Sequence, residues 1–343
     1  MSKFKLEFSL KQHTPIIHFQ SEQFGATLRA TELKPKLDRF LLEHVKGIPF
    51  KENTNGHRSL DYKVKILSSQ GTKALPDKSL YFANNSIKNE NDKIKTLIAN
   101  SRIKIEFFSF NSEIINAIKK CFDEFMLITN FGTRQSKGFG SFLRSDISDN
   151  EIKNIIKKQQ NPVFLLGKYK DTTQAFKTID IFYKKLKMGI NKPYFKSLIF
   201  RYMCKDKKIG WEKKFIKNNF PEVIHGEYSP LVCVEPDDRK FHYIRAVLGL
   251  AEHNEFRPSD YEKEQVKIKS IDGINRFKSP LTFKIFNNKI YLFHNDSYKK
   301  ILDKEFNFSL NKVSKKINTP KEFDMYEFLK FVEKEENLIS EVK

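Results

Sequence analysis

Three glycines fall within nine residues, in a chain that has only 13 glycines among 343 residues. They are Gly132, Gly138 and Gly140, inside the stretch Thr129–Arg144. Glycine permits positive φ and lets another backbone approach closely. Arg134, Lys137 and Arg144 bring positive charge to the same stretch, and Phe131, Phe139 and Phe142 bring flat apolar rings. Uncovered amide N–H groups, cations and rings together suit the gripping of a phosphodiester backbone with exposed bases. The bland alternative is a surface loop punctuated by glycine caps.

The flanking elements decide between kinds of glycine loop. Upstream, Ile114, Ile115, Ile118, Phe122, Phe125 and Met126 share one face at helical spacing, so a helix is expected over Glu113–Met126. Gly132 stands just beyond it, where a helix stop belongs. Downstream, Phe139, Ser141, Leu143 and Ser145 alternate as in a short strand. The order is helix, loop, strand. A dinucleotide fold needs strand, loop, helix, and a P-loop needs its lysine after the last glycine, whereas Lys137 comes before Gly138.

The residues Arg134-Gln-Ser-Lys-Gly-Phe-Gly-Ser-Phe142 resemble the glycine-rich loop of the RAMP superfamily, the RRM-like proteins of CRISPR effector complexes. Within it, the first RAMP subunit of the type III-B (Cmr) complex is the most similar. Two further pieces carry the likeness. Thr14-Pro15 follows a first strand and precedes Leu28-Arg29-Ala30, which leads through Lys34 and Lys36 to Arg39. Arg276-Phe-Lys278-Ser-Pro-Leu281 resembles an Arg-Xaa-Xaa-Ser-Pro-Leu element of the second half of that family. Gln135 departs from the family, which often has a small or basic residue there.

The resemblance implies a subunit that binds crRNA, at its 3′ end, and target RNA without cutting either, and that packs on other RAMP subunits. The RNA-binding candidates are Arg29, Lys34, Lys36, Arg39, Arg134, Lys137, Gly138, Phe139, Gly140, Arg144, Arg276 and Lys278. For the lysines and arginines, a solvated charged face is the competing reading.

Charge agrees with a polyanionic partner. Lys and Arg number 63 against 42 Asp and Glu, a net charge of +21. An Asn- and Lys-rich composition gives the same excess without any such partner. Cys121, Cys204 and Cys233 are odd in number and far apart, which indicates neither a zinc site nor a disulfide framework, and a reducing cytoplasm is expected. No apolar run approaches the roughly 18 residues of a membrane span, and no signal core follows the first residues. No metal or cofactor is expected.

The strand pattern of Phe4, Leu6, Phe8 and Leu10 opens an α+β chain. A helix capped by Thr31 follows, then a broken, insertion-like stretch from Lys46 to Asp92 containing a strand near Tyr62–Leu67. A strand within Ser101–Phe110 comes next, then the helix and the loop. This order resembles a ferredoxin-like (RRM-like) β-α-β-β-α-β unit, although the RNP1 motif is absent. Two such domains with helical insertions are expected, residues 1–150 and 160–343, joined by a polar stretch ending at Pro162. In the second, helices are expected over Thr173–Met188, Tyr194–Met203, Trp211–Ile216 and Tyr243–Glu252. A hairpin turning at Asn287-Asn288 and an acidic helical tail complete it.

The alternative function is a metal-independent endoribonuclease that processes CRISPR repeat RNA. His13 and His18 beside the first turn would be its acid and base. A basic RNA-binding protein unrelated to CRISPR is the third reading.

Overall fold

The structure, a computed structural model, describes residues 3–17, 27–68, 72–74, 97–99, 103–220, 241–251, 254–256 and 265–342. His18 lies outside them, as do most of the expected insertion and its Asn84–Ser86 and Asn89–Asp92 pieces. The chain divides into two compact units. One comprises Met1–Asp180, Thr282–Phe293 and Glu341–Lys343; the other comprises Ile181–Leu281 and His294–Ser340.

The first unit opens with β1 (Lys5–Gln12), α1 (Ala30–His44), β2 (Lys63–Ser68), β3 (Ile103–Phe108), α2 (Ser112–Ile128) and β4 (Phe142–Arg144). The sheet order is β2-β3-β1-β4, antiparallel at each pairing. That is the 4-1-3-2 order of a β-α-β-β-α-β unit. Alternation drives it. Ile103, Ile105 and Phe107 of β3 are buried while Lys104 and Glu106 face out. On the outer face Glu7 lies between Lys5 at 2.6 Å and Lys104 at 2.7 Å. On the inner face Phe8 stacks on Phe122 of α2 with centroids 4.2 Å apart. Asn111 caps α2 by accepting from the Glu113 N–H at 2.8 Å. The expected face of Ile114, Ile115, Ile118, Phe122, Phe125 and Met126 is the buried one, each large side chain contributing about 1.5–3 kcal/mol.

The stretch expected to join two domains is instead helix α3 (Asp149–Lys157), started by a Ser148–Glu151 capping box. Ile152 and Ile156 bury into the first core. The helix's three isoleucines, Ile152, Ile155 and Ile156, stand at i, i+3 and i+4, a helical spacing hidden by the polar composition around them.

The chain continues with β5 (Phe164–Lys168), α4 (Thr172–Lys187), α5 (Leu198–Lys207), α6 (Glu212–Asn219), β6 (Asn254–Phe256), β7 (Val266–Ser270), β8 (Leu281–Phe286), β9 (Lys289–His294), β10 (Glu305–Leu310), β11 (Val313–Asn318), α7 (Met325–Glu336) and β12 (Ser340–Glu341). A second four-stranded sheet has the order β8-β9-β5-β12. With α4 and α7 in their chain positions, β5-α4-β8-β9-α7-β12 repeats the 4-1-3-2 order. Asn287 and Asn288 turn the β8–β9 hairpin at φ 45° and 57°, as a type I′ turn requires. This hairpin was expected in the second domain, yet Thr282–Phe293 belongs to the first compact unit.

The second unit holds the sheet β6-β7-β10-β11, antiparallel throughout. Tyr243 packs edge-on against Phe306 and Phe308, and Phe215 against Phe308. Arg201 and Lys205 of α5 pair with Glu335 of α7 at 3.1 and 2.8 Å. The helix expected over Tyr243–Glu252 is only a 3-10 turn, Ile244–Leu248, because Gly249 leaves the helical region at φ 110°. Cys121 is a buried free thiol. Cys204 is disulfide-bonded, which the cysteine spacing did not indicate. Among the described residues no helix is long and apolar enough to cross a membrane.

Candidate nucleic-acid interface

The two sequence pieces singled out in the first half are physically one structure with the glycine loop. The Thr14 hydroxyl donates to Gly138 O at 2.7 Å and accepts from the Ser141 N–H at 2.9 Å. Gly140 N donates to Pro15 O at 2.9 Å, and His13 N to Ser141 O at 2.8 Å. From the other side, the Glu32 carboxylate accepts from Gly132 N at 2.9 and 3.1 Å and from Gln135 Nε2 at 3.0 Å. Lys36 Nζ reaches Glu32 at 2.6 Å, Asn130 O at 3.0 Å and Gln135 Oε1 at 2.9 Å, and lies 4.7 Å from the centre of the Phe131 ring. Asn130 Nδ2 ties Gln135 O to Phe283 O, both at 2.8 Å.

The structure gives each candidate a definite surrounding. The three glycine amides are bonded within the chain. Gly132 N is on Glu32, Gly138 N is on Gln135 O at 3.2 Å, and Gly140 N is on Pro15 O. Gly138, Phe139 and Gly140 are buried. A Cβ on Gly138 would meet Ile285 at 2.7 Å, and Phe139 stacks on Phe176 at 3.8 Å. These three residues build the loop. Arg144 is held by Asp123 and Asp146 at 3.0 Å each and by Glu151 at 2.9 Å, and its side chain is 18% exposed. Lys34 closes α1 on the chain beside it, bonding Asp38 and Leu60 O at 2.8 Å each. Lys36 organises the loop, as above. Lys137 is half-buried and pairs its backbone with Phe283.

The remaining candidates have surface. Arg29 is the N-cap residue of α1, two residues before the expected Thr31, and is half-exposed. Arg39 is exposed, and Arg134 is half-exposed at φ 58°. Arg276 and Lys278 are exposed on the segment between β7 and β8, in the second unit.

Sequence reading missed the residues that hold the site together. Glu32 followed four residues later by Lys36 was a visible helical pair. Lys284 left no signal. It is fully buried, and its Nζ bonds Met126 O at 2.6 Å, Thr129 O at 2.7 Å and Phe142 O at 3.3 Å.

His13 is poorly suited to acid–base work. Burial first, then the Lys284 and Lys11 charges, lowers its pKa to about 3. A neutral imidazole at neutral pH has no proton to give as a general acid and is a weak base. The same shift makes a stability prediction. The folded pKa is depressed, so on acidification the unfolded chain takes up this proton first, near pH 6.5. Stability is then lost progressively toward the folded value. From pH 8 to pH 5 the wild-type protein should lose about 2 kcal/mol more than His13→Asn, at 1.36 kcal/mol per unit. Urea unfolding at the two pH values measures it, and parallel losses in both proteins would refute a neutral buried His13. Among the described residues no group of three or more His, Cys, Asp or Glu side chains could hold a metal.

An α+β chain with two sheet-rich units, its glycine loop locked between a Thr-Pro turn and the first helix, is a RAMP protein of the type III-B CRISPR class. The family model of the Cmr1 N-terminal domain matches residues 3–190, and that of the Cmr1 C-terminal domain matches residues 194–343. The chain belongs to the Cmr1 family, and so is a subunit of a type III-B CRISPR complex. Among solved structures, the crystal structure of Cmr1 from Pyrococcus furiosus (apo form) is similar over 99% of this chain and 98% of that one, at 9% identity and a TM-score of 0.44. Comparison with curated proteins finds no match.

Proposed function

We propose that the chain is a non-catalytic, RNA-holding subunit of that complex, acting in the cytoplasm and contacting the 3′ end of the crRNA and the target RNA. The observation that carries this reading is the convergence of the Thr14-Pro15 turn, the start of α1 and the glycine loop in one place. The loop is held by its own bonds, and Arg134 within it, Arg29 at the start of α1 and Arg39 farther along α1 retain exposed surface. A net charge of +21 supplies the long-range attraction. The side chains would hold phosphates, while the glycines give the loop its shape.

The test is RNA affinity against salt concentration. Arg39→Ala with Arg134→Ala should lower the slope of log affinity on log salt by roughly 1.4, at about 0.7 per phosphate contact on a single strand. Glycine-loop packing should be unaffected, so the unfolding midpoint should stay put. An unchanged slope would remove the loop from the RNA interface. Incubation of the same RNA without metal separates the endoribonuclease reading, which requires a 2′,3′-cyclic phosphate product.

A further inference from the structure

Three phenylalanine rings stand in water at one end of the first sheet. Phe110, on the short link from β3 to α2, is 83% exposed, and Phe108 and Phe4 are 38% and 37% exposed. Phe110 meets Phe108 with centroids 5.0 Å apart at 80°, and Phe4 with centroids 6.3 Å apart at 57°. Single exposed apolar side chains are ordinary, but three joined through ring contacts form a patch. The backbone beneath them is pinned. The Ser109 N–H donates to Phe4 O at 3.1 Å, and the Ser109 hydroxyl donates to Asp61 O at 2.6 Å, just before β2. A partner therefore has little chain to order.

Register sets the neighbours of the rings. Phe108 pairs with Lys5 of β1 on one side and Lys63 of β2 on the other, so both lysines share its face, roughly 5 Å away between Cβ atoms. The next row on that face is Glu7, Glu106 and Lys65, and the row after it is Ser9, Lys104 and Leu67. Lys5 and Lys104 each lie within 2.6–3.6 Å of both carboxylates. Lys63 and Lys65, both exposed, are then a positive surplus beside the rings.

These surroundings favour one kind of occupant. The core of a protein–protein contact is depleted in Lys and Glu, whereas these rings stand in rows of them. A single-stranded nucleic acid calls for this combination, ring faces for its bases and cations for the phosphates between them.

We propose that Phe108 and Phe110, with Lys63 and Lys65, form a stacking platform for unpaired bases of an RNA strand, on the face of the first sheet turned away from α2. The proposal rests on the reading of the chain as an RNA-holding subunit, but not on the glycine loop being a point of contact.

The full chain is titrated with a labelled single-stranded oligoadenylate and with a duplex RNA of the same length, at several salt concentrations. Phe108→Ala with Phe110→Ala should weaken single-strand binding about tenfold and leave its salt slope unchanged, since stacking releases no counterions. Duplex binding should stay as it was, because duplex bases are already stacked on one another. Lys63→Ala with Lys65→Ala should instead lower the single-strand slope by roughly 1.4. Phe110→Trp guards against a folding effect. It should bind as tightly as wild type, and oligoadenylate should quench its emission beyond any change in Trp211, the only tryptophan of the wild-type chain.

Single-strand affinity untouched by the double phenylalanine variant overturns the platform and leaves the glycine-loop reading in place. A wild-type chain that binds neither RNA overturns both. Equal losses on single strand and duplex overturn the platform alone. So does a variant that loses self-association while keeping its RNA affinity, because the patch would then join copies of the chain.

Discussion

Gly140→Ala should cost roughly 4 kcal/mol or more of stability, the largest single-residue loss expected in the loop. A Cβ at this position would lie 1.9 Å from Phe131 O and 2.8 Å from Phe131 C, both backbone atoms that cannot rotate away. The residue also sits at φ 67°, where a side chain adds about 1–2 kcal/mol. Relief requires the two sides of the loop to part. That stretches the Phe131 N to Gly140 O bond of 3.0 Å and the Gly140 N to Pro15 O bond of 2.9 Å, and with them the seat of Thr14. Gly56 is the matched control. Its φ is 72°, but an added Cβ would find only Glu52 Oε1 at 3.8 Å. Gly56→Ala should therefore cost about 1 kcal/mol, the conformational part alone. Urea unfolding of both variants tests the argument, and equal losses would mean that the close approach at Gly140 is not limiting.

That contrast also shows what the sequence could and could not tell. The glycine cluster announced positive φ and a close approach, and Gly132, Gly138 and Gly140 have both. The identity of the approaching group was not legible, because a glycine that admits a phosphate and one that admits a carbonyl look alike in sequence. Here the neighbours are Ile16 and Ile17, Ile285 and Phe131. The first sheet was legible because β1 and β3 each have one solvated face and so alternate cleanly. Strand β8 was legible as a hairpin arm but not as a core strand. Phe283, Lys284, Ile285 and Phe286 are all buried, so the strand has no solvated face to report. The pairing of Glu212 with Arg245, 33 residues apart, had no local signature either.

Lys284→Met should destabilise the first unit by about 3 kcal/mol, and the reason is an accounting of hydrogen bonds rather than of charge. Methionine fills nearly the same volume, so packing is conserved. What disappears is the donor for three carbonyls. Met126 O belongs to the last turn of α2, where carbonyls have no partner within the helix, and Thr129 O follows the helix end directly. Phe142 O, the third acceptor, begins β4, so a single side chain joins the helix, the start of the loop and the strand after it. Against this, removing a buried polar group recovers desolvation free energy, which keeps the expected loss near about 3 kcal/mol. Burial, and then the Lys36 charge, hold the folded pKa of Lys284 well below the usual lysine value. Between that depressed value and about 10.4 the unfolded chain binds the proton that the folded chain has released, so stability from this residue rises with pH. The gap between wild type and Lys284→Met should therefore widen from pH 7 to pH 9.5 in paired thermal or urea unfolding. A gap that narrows with pH would show that Lys284 stabilises the fold chiefly as a charge.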